Sequence, residues 1–228
     1  MGAVTRIRLV WSRGVLAAGV FALTGCQTVH EVVVDAISNQ QKPMGTSYQL
    51  EVHDPSGGVE KELGAQAVAD VRDALAARGL YEAPANTRPD MVIDFEYGVG
   101  PGQIKIIHRP PAVTLIGTLE TSNEDAGDKP ILVFEKYITL SAREPVPAAT
   151  AAGRGPATRR GEELWNLHVS VEDPKKELAP YLPVLASVSI DYMGENSVKE
   201  KRISVKAEEA TATLHRPPPS PPPPAPAH

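Results

Sequence analysis

"VEKELGAQAVADVRDALAARG", residues 59–79, is followed ten residues later by "DMVIDFEYGV", residues 90–99. In the first stretch Val59, Leu63, Ala67, Val71, Ala74 and Leu75 recur at helical spacing on one face. Glu60, Lys61, Asp70 and Arg72 occupy the other, and Gly79 stands where a helix stops. In the second, Met91, Ile93, Phe95, Tyr97 and Val99 alternate with Asp90, Asp94 and Glu96, the pattern of a half-buried strand. A strand-like "YQLEV" (48–52) precedes the helix, so the core of the chain reads strand, helix, strand.

Working outward, "QIKIIH" (103–108), "AVTLIGTLE" (112–120), "ILVFEKYITLSA" (131–142) and "ELWNLHVSVE" (163–172) read as further strands. The last of these buries Trp165, Leu167, Val169 and Val171. "LAPYLPVLASVSIDYM" (178–193) fits a helix, with Pro180 and Pro183 in its first turn and Gly194 as its stop. Ala186, Val188, Ile190 and Tyr192 also alternate as in a strand; the helix reading is preferred. "SVKEKRISVKA" (197–207) suits a final edge strand whose lysines discourage further pairing. The expected fold is a single α+β domain: an antiparallel sheet of five or six strands with two helices on one face. Residues 48–207 form this domain, with a mobile Ala/Gly/Pro/Arg loop at 144–162. Residues 208–228 form a Pro-rich tail, disordered or in polyproline II.

The N-terminus has a different grammar. Arg6, Arg8 and Arg13 precede the apolar run "VLAAGVFAL" (15–23), which is too short to cross a bilayer core of about 30 Å. Then comes Leu23-Thr24-Gly25-Cys26, which contains the single cysteine of the chain. A positive segment, a short apolar segment and small residues make an export signal. One cysteine cannot form an internal disulfide.

The four residues ending in Cys26 resemble the lipobox of bacterial lipoprotein precursors. The resemblance implies that the Cys26 sulfur receives a diacylglyceryl group and that residues 1–25 are removed as a signal peptide. Palmitate-type chains would then anchor the protein in a membrane. Gln27, which is not Asp, implies by the same resemblance the outer membrane, facing the periplasm. Residues 26–47 would be the lipidated anchor and tether, although Val32, Val33 and Val34 could begin a short helix or strand.

Residues 48–97, with "ELWNLHVSVED" and "LAPYLPVLASVSIDYMG", are similar to small envelope lipoproteins classed as a domain of unknown function. That likeness implies a fold and no catalytic residue.

Net charge is −5, and loss of the three N-terminal arginines would leave it near −8, without the basic footprint of a nucleic-acid binder. Asp94 and Glu96, two apart on one strand face, are the candidates for acid–base chemistry, with a solvated surface as the plainer reading. Asp90 extends that acidic stripe. The six histidines show no metal-ligand spacing, and "GVGPG" (98–102) is a turn lacking the helix a dinucleotide site needs. Arg154, Arg159 and Arg160 in the long loop could touch anionic headgroups. No catalytic, metal or cofactor motif emerges. The expected function is a lipid-anchored, non-enzymatic envelope protein that binds a protein or peptidoglycan partner or serves a structural role. The alternative is an anchored hydrolase or carbohydrate-active enzyme using Asp94 and Glu96.

Overall fold

The computed structural model describes residues 28–53, 61–108, 128–146, 161–197 and 199–214. Within them eight strands form a mixed sheet covered on one face by three helices. The strands are β1 (Val29–Ser38), β2 (Ser47–His53), β3 (Tyr81–Glu82), β4 (Met91–Val99), β5 (Gln103–His108), β6 (Asp128–Arg143), β7 (Glu163–Asp173) and β8 (Lys201–Lys206). The helices are α1 (Lys61–Ala77), α2 (Leu182–Tyr192) and α3 (Ala207–Leu214). The spatial order is β3-β2-β4-β6-β7-β1-β8, with β5 pairing to the first half of β6.

The α+β class and single sheet agree with the sequence reading, whereas the antiparallel arrangement does not. β2 runs parallel to both β4 and β3. The cause is the strand–helix–strand order itself: α1 carries the chain back over the sheet, so β4 starts at the same end as β2. The strand count is also higher than expected. β1 occupies part of the segment assigned to a tether, and it lies between β7 and β8. Its residues alternate after all, with Val32, Val34 and Ala36 fully buried and Glu31 and Asp35 exposed.

The rest of that segment turns into β2. Lys42 is held there by Glu144 at 2.7 Å and Glu162 at 2.5 Å. The same lysine gathers the two ends of the expected long loop, where Glu144 N–H also donates to Glu162 O at 2.9 Å. Residues 147–160 of that loop, the expected strand at 112–120 and residues 215–228 lie outside the described residues. Residues 207–214 are helical, so the Pro-rich tail does not begin at 208. β8 is an edge strand, as the sequence suggests.

One face of the sheet makes the core. Ile93, Phe95 and Tyr97 of β4 stand opposite Ala142, Leu140 and Ile138 of β6. These in turn stand beside Trp165, Leu167 and Val169 of β7. α1 contributes Ala67, Val71, Ala74 and Leu75, and α2 contributes Leu182, Val184 and Leu185, all buried in the same cluster. The preferred helix at 178–193 therefore forms, after a 3-10 turn at Ala179–Tyr181. Gly79 and Gly194 end their helices at φ +91° and +76°, conformations that side chains with a Cβ rarely adopt. Asp70, expected on the solvated face of α1, is buried.

Candidate functional site

The face of the sheet opposite the helices is polar and uncovered among the described residues. Register explains its order. His53, Glu96, Thr139, His168 and Asp35 lie opposite one another in sequence across β2, β4, β6, β7 and β1. The neighbouring rung is Glu51, Asp94, Ser141, Asn166 and Ile37. Because side chains alternate along each strand, five strands in register array these groups on one surface.

Every acidic group singled out in the sequence has partners here. Asp94 accepts from Arg143 Nε at 3.3 Å and lies 3.1 Å from His53 Nε2. Arg143 also donates to Glu163 at 3.0 Å and Ser141 at 3.3 Å. Glu96 accepts from the Tyr137 hydroxyl at 3.0 Å. Burial, then this hydrogen bond, pushes the Tyr137 phenol up to about 12. The Tyr137 ring crosses over Gly98, where a Cβ would stand 3.0 Å from its hydroxyl, and stacks on His168 at 5.6 Å. His168 completes the row, with Thr139 Oγ1 at 2.9 Å and Glu135 Oε1 at 3.4 Å.

Asp94 and Glu96 thus share a face but serve separate networks. An arginine on one carboxylate and a phenol on the other hold both as fixed hydrogen-bond acceptors. A general acid–base pair needs instead two carboxyl groups facing a common cleft. Grooves of about 560 Å³, lined by Val52, Gly64, Ala65, Val68, Arg72 and Tyr97 among others, and about 610 Å³, around Tyr192, Asn196 and Lys201, include neither residue. Glu51, His53 and Asp94 bring ligand atoms within 4.8 Å of one another, close enough to meet at a cation. Arg143 engages Asp94 through Oδ2, so a metal ion held at Oδ1 would share that carboxylate with a guanidinium. Asp90 plays a third part: it accepts from Ser47 N–H at 2.9 Å and Thr46 N–H at 3.0 Å, tying the start of β2 to that of β4. Those bonds, led by the Ser47 N–H, hold its carboxyl below the usual range.

The sequence reading missed Lys136. It lies on the apolar face, in a rung with Val32, Val171 and Val99, and it is fully buried. Its ammonium donates to Asp173 O at 3.0 Å and Phe134 O at 3.3 Å and sits 4.9 Å from the centre of the Tyr181 ring. The Asp173 carboxylate is 3.9 Å away. Burial lowers the Lys136 ammonium, with Asp173 opposing. Burial and a hydrogen bond to Asp173 push the Tyr181 phenol up to about 12. The available signal was parity: Lys136 falls in step with Phe134, Ile138 and Leu140. Cys26, Leu23, Thr24 and Gly25 lie outside the described residues, as do Arg154, Arg159 and Arg160.

No family model and no curated protein matches the chain. Among solved structures it is similar to a PDZ domain protein from Parabacteroides distasonis, at 10% identity and a TM-score of 0.40. That match covers 79% of this chain and 40% of the other, so the chain spans less than half the length of that protein. It is also similar to PelC dodecamer structures from Paraburkholderia phytofirmans. One, a point variant, is 11% identical with a TM-score of 0.38; a second is 10% identical with a TM-score of 0.37. Each covers 73% of this chain and 99% of that one.

Proposed function

We propose that the chain is a lipid-anchored protein of the bacterial cell envelope. Cys26 holds it in the membrane, in the outer membrane facing the periplasm, and its α+β domain acts by binding or as a structural element. The observation that carries this reading is the order Arg6, Arg8, Arg13, then residues 15–23, then Leu23-Thr24-Gly25-Cys26. Two or more acyl chains on that residue would give a stable anchor where one would not. The resemblance of residues 48–97 to small envelope lipoproteins of unknown function supports the same reading.

The polar sheet face supports binding over catalysis. It is broad and carries paired charges in fixed rows, which suits an extended partner such as an envelope protein or peptidoglycan. The hydrolase alternative would need Asp94 and Glu96 to act on one bond, and each is occupied by a different partner.

Metabolic labelling with palmitate tests the anchor. The wild-type chain takes up label, whereas Cys26→Ala takes up none and accumulates as the longer precursor. Equal labelling of both proteins would end the lipoprotein reading.

A further inference from the structure

The ribbon made by β5 and the first residues of β6 protrudes from one end of the sheet. β7 ends at Asp173, opposite Phe134, so β6 continues beyond it paired only with β5 among the described residues. On one side of this ribbon Ile104 faces Leu132 and Ile106 faces Pro130. Ile104 is 74% exposed, Ile106 61% and Leu132 50%. Leu132 keeps the parity of Lys136, Ile138 and Leu140, although in the ribbon itself the buried residue is its neighbour Val133, and the Ile104, Ile106 and Leu132 side stays exposed. Large apolar side chains clustered in water on a protruding ribbon call for a cover.

β1 begins at that same end. Val32 lies opposite Val171, and Val171 opposite Lys136, so β1 and β6 run in the same direction. Val29 and Val133 are each three residues upstream of that rung. Two strand spacings, about 10 Å, separate β1 from β6. Cys26 is three residues before Val29, a span of no more than about 11 Å at 3.8 Å per step. The ribbon runs five residues past Val133, about 17 Å. Two interstrand twists of about 20–25° reduce its advance along β1 to about 12 Å. An acylated Cys26 can therefore reach the same depth as the last described pair of the ribbon, His108 and Asp128, and the leash is too short to hold that end of the domain clear.

We infer that the Ile104, Ile106 and Leu132 face docks on the lipid surface that holds Cys26, so that the domain is bound by its acyl chains and a β-ribbon together. This rests on the proposed acylation of Cys26. The occupant is lipid at headgroup depth: the outer edge of β5 has no strand partner among the described residues, and unpaired backbone groups are not tolerated deeper in hydrocarbon.

The chain has one cysteine, so once Cys26 is acylated an introduced thiol is unique. Ile106→Cys and, at the opposite end of the sheet, Asn86→Cys can be labelled with an environment-sensitive fluorophore on the full lipidated protein. The vesicles are phosphatidylethanolamine and phosphatidylglycerol. Docking predicts several-fold stronger quenching by spin-labelled lipid at position 106 than at position 86, and protection of 106 from iodide. Equal lipid quenching at both positions, with palmitate present on the protein, overturns the docking and leaves the anchor intact. Protection from iodide without lipid quenching also overturns it, since a protein surface then covers the ribbon. Absence of palmitate from the wild-type chain overturns both proposals.

Discussion

Replacing Lys136 by Met should leave the domain as stable or make it more stable, although Lys136 is fully buried and makes two hydrogen bonds. The ammonium gains about 1.5–3 kcal/mol from each hydrogen bond to a charged donor and about 1–2 kcal/mol from Tyr181. Against this stands a desolvation penalty of several kcal/mol for one ion. Asp173 offsets little, being 3.9 Å away and partly exposed. Burial lowers the Lys136 pKa with Asp173 opposing, so desolvation outweighs that carboxylate. Met keeps the unbranched stem between Val171 and Val99 and opens no cavity. Replacing a whole buried ion pair by apolar residues of similar volume is often neutral or stabilising by about 1–4 kcal/mol, and here the carboxylate left behind, Asp173, is partly exposed to water rather than buried. Lys136→Ala loses the stem as well and should cost about 2–5 kcal/mol.

The pH dependence has a definite sign. Between the lowered folded value and 10.5, the unfolded chain still holds the lysine proton that the folded chain has released, so stability rises with pH. The wild type should therefore approach Lys136→Met as pH increases from 7 toward 10. Above 10 the tyrosines reverse the trend. Tyr137 and Tyr181 are raised to about 12, and the stability they carry is lost as pH climbs through that range. Urea unfolding of the two variants and the wild type at pH 7, 9.5 and 11 measures all of this. A Met variant less stable than wild type by about 3 kcal/mol at pH 7, the cost of breaking a net-favourable buried pair, would refute the argument, as would a gap that widens with pH.

Asp90 should act at the other end of the pH scale. Its lowered pKa contributes stability above 3.8 that is lost as pH falls through the folded value, so Asp90→Asn should flatten the acid limb of the stability curve. Gly98→Val should displace the Tyr137 ring, because even a Cβ would sit 3.0 Å from the hydroxyl and 3.2 Å from Cζ. The spectroscopic titration of Tyr137 should then move down from about 12 as its bond to Glu96 is lost. A Gly98→Val protein with an unchanged phenol titration would show that the ring does not depend on that gap.

Much of the fold was legible where one period dominates a segment. The alternation over residues 90–99 and 163–172 placed β4 and β7, and the apolar stripe from Leu63 to Leu75 placed α1. β1 was harder to read because three consecutive valines blur its alternation; only the flanking Glu31, Asp35 and Ala36 reveal the period. The parallel pairing of β2 with β4 was implicit in a helix joining two strands, but strand direction leaves no mark in composition. The final helix escaped notice because "AEEATATL" adjoins a run of prolines, and its eight residues depend on packing Ala210 and Leu214 against the core. At the candidate site, the pattern gave the shared face of Asp94 and Glu96. It could not give their partners, because Arg143 and Tyr137 lie more than 40 residues away and meet them only through register. Lys136 was hidden for the opposite reason: its charge suggested solvent, while its position in the alternation placed it inside.

The account depends most on the chemistry of Cys26, and intact mass spectrometry of the N-terminal peptide from the membrane-purified protein measures it directly. The predicted result is Cys26 as the first residue, carrying a thioether-linked diacylglyceryl group and an amide-linked acyl chain. A peptide that runs through residues 25 and 26 with a free thiol would contradict the anchor and, with it, the membrane-docked ribbon.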